Sequence, residues 1–432
     1  MTVVAVLFQV WEMTGSPMWT GLIGLASAIP MIVFGTVGGS LADAVDRRGL
    51  VRWTTLGQML CALGLAAQAV ARTHHLAIIL ALVAAQASCS ALGAPARRTF
   101  PARLLPLELV PAGLALQHLS FQGAMLAGPA LGGLVIGQWG LTACYAIEAG
   151  TFVVALYVVL RLPALPPLGA DGHRAGLRSI ANGLRHIVRA HEVRGSFGTD
   201  LFATLLAMPI ALFPMVNEIR FDGAPETLGL FPSAIAVGGI VAGLWSGLVS
   251  RADRPGLIQL WAAGAWGVAL AGFGLAEPLW AVLGALAVAG AADTVSVIAR
   301  GTLVQLVTPD GLRGRVSSAE HVIGVAGPNL GNARAGAVAG LSSAPVALVS
   351  GGLLCAAGVL WIALRNRPLR EFRVGNRLPR DVRRRARAQA RGSRRASLGP
   401  TSSVSLGRCP RDRPTSAAVP AGSEPRCAAS GS

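Results

Sequence analysis

GGSLADAVDRR, residues 38–48, closes one long apolar run and opens a short charged loop. Gly38 and Gly39 remove side chains where a helix ends, so a neighbouring helix can approach closely. Asp43 stands at the edge of the hydrocarbon, where a carboxylate is costly unless it is paired or caps a helix. Arg47 and Arg48 follow at once and hold such a loop on the cytoplasmic side. The plainer reading is an ordinary helix end with snorkelling arginines. The rest of the chain decides between the two.

Composition sets the class. Of 432 residues, 53% are hydrophobic and 13% charged, against about 25% charged in a soluble domain. Mean hydropathy is +0.57. The apolar residues fall in blocks of about 20, the length that crosses about 30 Å of hydrocarbon. Tyr is scarce at 2 and Phe at 12, so no aromatic platform for nucleic acid is visible and none is expected as a partner. Net charge is +17, yet residues 365–426 hold 17 arginines against four acids. The charge therefore describes a tail, not a nucleic-acid-binding fold. Six cysteines (Cys61, Cys89, Cys144, Cys355, Cys409, Cys427) have neither CxxC spacing nor a His cluster, so no metal site or disulfide framework is expected. No phosphate-cradling Walker loop, GxSxG or HExxH occurs, which argues against an ATP-driven pump and against an enzyme.

The apolar blocks predict helices over 18–42, 51–71, 76–96, 112–138, 141–160, 196–219, 227–249, 256–276, 279–306, 316–341 and 345–364. Residues 1–13 are apolar but cover only about half a crossing; they are expected to be what remains of a first helix truncated at its N-terminus. No basic leader or cleavage pattern suggests a signal peptide. Arginines cluster in alternate loops: 47, 48 and 52; 97, 98 and 103; six within 161–194; 251 and 254; 313 and 315. The opposite loops hold little beyond Arg72 and Arg220. This bias places both termini in the cytoplasm around twelve crossings of a cell membrane.

The chain also repeats itself at an offset of about 200 residues. PARRTFPARLLP (95–106) has a counterpart in ARGTLVQLVTP (299–309). GPALGG (128–133) corresponds to GPNLGN (327–332), and the opening stretch is echoed by SGLVSRADRP (246–255), with Arg251 in the place of Asp43. The organisation expected is a six-helix bundle over 1–160, a cytoplasmic linker over 161–194, a second bundle over 195–365 and a disordered arginine-rich tail over 366–432. An amphipathic helix is expected near 177–188. The run RRRARAQARGSRR (383–395) suits an anionic lipid surface, though a solvated tail is the plainer alternative.

Gly39, Asp43, Arg47 and Arg48 resemble the loop between the second and third helices of major facilitator superfamily transporters. Ala44 and Asp46 depart from its commonest form, which has a basic residue and a glycine there. The ADxxDRR variant resembles the enterobactin/siderophore exporter branch of the drug:proton antiporters. Gly128, Pro129, Gly132 and Gly133 are similar to the GPxxGG signature of the antiporter branch, which marks exporters. A Pro-kinked packing helix is the alternative for that stretch. The resemblance spans roughly residues 1–365. It implies an all-α integral membrane protein of two six-helix bundles related by pseudo-two-fold symmetry. It further implies proton-coupled efflux of a small amphipathic molecule such as a siderophore, a conformational latch at 43–48, no cofactor and a monomer in the lipid bilayer. Efflux of a macrolide- or tetracycline-type antibiotic is the nearest alternative; a truncated membrane protein that no longer transports is one of another kind.

Ionisable groups inside apolar spans are the default functional candidates. Asp293 lies near the middle of its span, with Arg300 seven residues on and so on the same face. A salt bridge between them and a proton-coupling role for Asp293 are both open. Glu148 and Asp200 are further candidates for coupling or substrate, and Glu320 and Arg334 are also intramembrane. The fourth span lacks the arginine that many drug/proton antiporters carry there; Gln86 and Ser88 are its polar groups.

Overall fold

The computed structural model describes residues 1–72, 75–165, 184–185 and 187–374, apart from the side chains at 36, 39–40, 42–43, 310–311, 313–315, 318 and 321. Those residues belong to one unit, Met1–Arg377. The expected amphipathic helix near 177–188 lies mostly outside them, and the run 383–395 entirely so.

Apolar blocks without water to satisfy the backbone fold as helices, because each helix closes its own hydrogen bonds. The principal ones are α1 (Thr2–Thr14), α2 (Pro17–Ala44), α3 (Arg47–Val70), α4 (Leu76–Arg98) and α5 (Val110–Arg161). They continue as α6 (His191–Leu206), α7 (Phe213–Phe221), α8 (Pro225–Leu244), α9 (Pro255–Leu275), α10 (Leu279–Val307), α11 (Asp310–Leu341) and α12 (Ala344–Arg365). No strand occurs among the described residues.

Nine helical segments among the described residues are long and apolar enough to cross a membrane. One of them contains α5. A continuous helix of its 52 residues would run about 78 Å, more than twice the hydrocarbon thickness. Gly140 divides it instead, with φ 79 and ψ 173, a conformation that glycine adopts without steric cost. The two arms then run in opposite directions as separate crossings. α11 is 32 residues long but less apolar, because Glu320, Asn329, Asn332 and Arg334 lie in it.

The sequence placed one continuous helix over 196–219, and the structure breaks it. α6 stops at Leu206, a 3-10 turn spans Ile210–Leu212, and α7 begins at Phe213. Pro209 and Pro214 remove two backbone donors across this stretch, which ends the ladder. The tail boundary also shifts. Arg367–Glu371 forms a further helical turn, capped by the Asn366 side chain, and Leu369 is fully buried. Asn366 itself donates to the His191 carbonyl at 2.7 Å.

Helix pairing repeats across the chain. α2 packs on α4 as α8 packs on α10, and α3 packs on α4 as α9 packs on α10. α3 packs on α5 as α9 packs on α12. Two further pairs join the halves, α2 with α11 and α8 with α5. Outward faces carry exposed large apolar side chains such as Val154, Trp261, Trp280 and Leu341, the surface expected against lipid rather than water.

Candidate functional site

The halves meet at the end of the molecule that holds Gly15, Gly140 and Asp222, and the contact is backbone on backbone. A Cβ added to Gly21 of α2 would sit 2.9 Å from the Asn332 carbonyl and 3.2 Å from Cα of Gly336, both on α11. A Cβ added to Gly229 of α8 would sit 3.1 Å from Cα of Gly133 on α5 and still closer to the Pro129 carbonyl. Side-chain-free residues are what allow helices to approach this closely. Hydrogen bonds tie the same end. Thr20 donates to the Ala211 carbonyl at 2.8 Å, and Ser233 donates to the Leu126 carbonyl at 2.8 Å. The broken backbone between α6 and α7 is satisfied locally, since Ala211 N–H donates to the Asn332 side chain at 3.1 Å.

The GPxLG repeat gains a physical meaning here. Gly128 and Gly132 lie against Met1 beside α1, and Gly327 and Gly331 lie against Thr204 of α6. Each motif thus seats its helix inside its own half. The crossing to the other half uses Gly133 in α5 but Gly336 in α11, one turn beyond Asn332. Pro129 and Pro328 both lie inside their helices.

At the opposite end, which carries the loop around Asp46, the halves separate. From residue 111 to 121 of α5 every position except Gly113 is exposed. Gly38 is buried there against α4; a Cβ would meet the Ala91 and Leu92 carbonyls at 2.9 Å. Gly39 and Asp43 lie within α2, but their side-chain surroundings fall outside the described set. Asp46, read from the sequence only as part of the ADxxDRR variant, is the residue that organises the loop. Its carboxylate accepts from Gly49 N–H at 3.0 Å, Arg48 N–H at 3.3 Å and Leu165 N–H at 2.8 Å. It caps the start of α3, a role a short acidic side chain fills well. Arg48 donates to the Val159 and Leu160 carbonyls at 3.3 and 2.7 Å, at the C-terminus of α5, where a cation is favoured. Arg47 N–H donates to the Leu165 carbonyl at 3.1 Å.

Arg300 does not bridge Asp293. Its guanidinium bonds Asp200 of α6, and its Nε lies 3.4 Å from Glu320 of α11. Seven residues put Asp293 and Arg300 on one face, but two turns apart, and the neighbouring helices bring carboxylates closer. Asp293 is exposed, within electrostatic reach of both Asp200 and Arg300. The sequence offered all four residues and no means of pairing them.

A cavity of about 500 Å³ lies between the halves. α1 to α4 and the second arm of α5 line one side; the broken α6–α7 stretch and α11 line the other. Glu148 lines it, whereas Asp200, Asp293 and Arg300 do not. Gln86 also lines it, whereas Ser88 donates to its own helix at the Ala84 carbonyl. Gln58, Ser27, Asn329 and Asn332 line it too, and the sequence reading passed them over. Each is a polar residue inside an apolar block, which was the available signal. Arg97, at the end of α4, reaches Gln58 Oε1 at 3.3 and 3.4 Å.

Comparison with known proteins agrees with this geometry. The family described as Transmembrane secretion effector matches residues 1–391. Enterobactin exporter EntS of Escherichia coli O1:K1 / APEC is 28% identical over 378 residues, covering 86% of this chain and 88% of that protein. EntS of Shigella boydii serotype 18 is 29% identical over the same length. Among solved structures, a single-residue mutant of the nucleoside transporter NupG superposes with a TM-score of 0.64 at 11% identity, covering 85% of this chain and 98% of that one. A POT family transporter in complex with 5-aminolevulinic acid gives 0.62 at 11% identity, with 85% and 96% covered. At that identity the structures speak for the fold alone, which is the major facilitator fold.

Proposed function

The chain belongs to the transmembrane secretion effector family of major facilitator transporters, and from that premise we propose that it exports a small amphipathic molecule by alternating access, with inward proton flow as the drive. It is a multi-pass membrane transporter with an efflux role and not an enzyme. The observation that carries the finer reading is the cavity lined by both halves and shut at the Gly140 end. Arginine bias supports placing the Asp46 loop in the cytoplasm, so the described state is one that loads from inside. The EntS relatives are enterobactin exporters by name, which makes a siderophore one candidate cargo.

Asp293 is the carboxylate proposed to carry the proton. It is exposed on α10 beside the Arg300 cluster rather than locked within it. Everted membrane vesicles with an acid interior test both statements, using a catecholate siderophore and a panel of antibiotics. At least one cargo should accumulate above vesicles lacking the chain and leak out on adding a protonophore. Asp293→Asn should insert normally and lose the pH-driven accumulation. Unchanged accumulation in that variant would remove Asp293 from the coupling, and no accumulation of any cargo would remove the export reading.

A further inference from the structure

We propose that the central cavity takes a monocationic amphipath, a protonated amine on an apolar body, with Glu148 as its counter-ion. Among the described residues that line the cavity, Glu148 alone carries a formal charge. Its Oε2 is buried and accepts no hydrogen bond, and Thr2 Oγ1, on the same lining, is buried and without a partner as well. A buried polar atom without a partner is costly, and most costly for a charged group. A donor from the cargo satisfies it. No basic side chain in the lining competes for that place, and Arg97 touches the cavity only through Gln58.

The surroundings suit the same ligand. Phe152 lies four residues beyond Glu148 on the second arm of α5 and lines the cavity with it. Positions four apart share a helix face, so a cation beside the carboxylate also reaches the ring. Val6, Leu7, Ile23, Met31 and Met208 supply the apolar walls, with methionines able to fit irregular bodies. An anionic cargo would face a like charge there with no lining cation to offset it. The carboxylate therefore selects against anionic cargo and for amines.

This assignment rests on the export reading for the direction of passage, but its binding test does not. The probes are dansylcadaverine, a fluorescent primary amine, and its N-acetyl derivative, which differs chiefly by the charge. The full chain in lipid nanodiscs is titrated with each, and empty discs are subtracted. The amine should bind at least about tenfold more tightly, as loss of one charge-assisted contact implies. Glu148→Gln should bring the two probes within about twofold, and Glu148→Asp should keep most of the preference. Equal binding of the two probes to the unaltered chain overturns the proposal even if Glu148→Gln does not fold. So does a preference that survives Glu148→Gln, or displacement of the amine by 2,3-dihydroxybenzoylserine at lower concentration than by unlabelled cadaverine amides. Vesicle transport then separates the two claims. Export of neutral or anionic probes with no gain for the amine sinks the cation assignment alone. Amine binding without export sinks the export reading alone.

Discussion

The two ends of the molecule are held by different physics. At the Gly140 end, helices from opposite halves touch through glycine: Gly21 on Gly336, and Gly133 on Gly229. At the Asp46 end the bonds stay inside each half. Asp46 and Arg48 clasp the end of α5 in the first half. Arg300 gathers Asp200 and Glu320 in the second. Close backbone contact is short-ranged, and the Thr20 and Ser233 hydroxyl bonds beside it are neutral, so separation breaks no ion pair. Charge-assisted bonds, to backbone in the first half and in the Arg300 ion pairs of the second, are costly to separate and hold each half together. Under the proposed alternating access, the end that opens is built from the first kind of contact and the bodies that move from the second. The matching loop of the second half is tied by backbone instead, Val374 N–H donating to the Asp253 carbonyl at 3.0 Å.

The sharpest way to break this contrast is to remove the shared cation. Arg300→Ala leaves two largely buried carboxylates without their partner and should cost about 3–5 kcal/mol, read as a loss of thermal stability of the purified protein. Asp200→Asn should cost less, and Asp293→Asn least, because Asp293 lies outside the pair. A destabilisation by Asp293→Asn equal to that by Asp200→Asn would contradict the pairing. Next comes the closed end. Gly133→Val places a side chain against the Gly229 Cα and the Pro225 carbonyl, an overpacking of about 1–3 kcal/mol. The cost falls on the closed state alone, so transport should fall at least tenfold while expression and thermal stability change little. Normal transport by that variant would mean the glycine contact is not the closure.

Smaller effects sharpen the account of the halves. Asp46→Ala removes the α3 cap and the Leu165 tie and should cost about 1 kcal/mol; Asp46→Asn should recover part of it. A neutral outcome would mean the loop is held by Arg48 alone. Tyr145→Phe deletes the hydroxyl that donates to Gln9 at 2.8 Å, beside the mutual Gln9–Gln68 pair at 3.0 Å. Its cost should be about 0.5–1.5 kcal/mol with transport intact, because this network lies within one half. A transport defect without instability would instead tie the network to the cycle.

Much of the fold was legible because hydrocarbon imposes length and composition on each crossing. Helix ends at 76, 279 and 341 agree with those read from apolar runs, and Gly140 falls in the gap left between 138 and 141. The break after Leu206 was written in Pro209 and Pro214 but was hidden by an apolar run that never faltered. The start of α11 at Asp310 was missed because its first turns are polar. The site was less legible. Glycines and a repeat can be read along the chain, but which helix each one meets depends on three-dimensional pairing. Asp46 was read only as part of the ADxxDRR variant, when its place before α3 marked it as a cap. For Arg300 the sequence offered a partner only along its own helix, Asp293, whereas its carboxylates come from α6 and α11.

Under the proposed export cycle, the Gly140 end closes and opens as the cavity changes sides. His75, before α4, and Glu277, before α10, are exposed at that end, one in each half. Spin labels at these two positions, in a chain without its native cysteines, allow their separation to be read by pulsed electron resonance in nanodiscs. A short-distance population that matches the described state is expected at rest. A second, longer population is expected on adding cargo or lowering the pH, with Gly133→Val shifting the balance to the longer one even at rest. A single distance that no cargo, pH or glycine substitution moves would contradict that cycle.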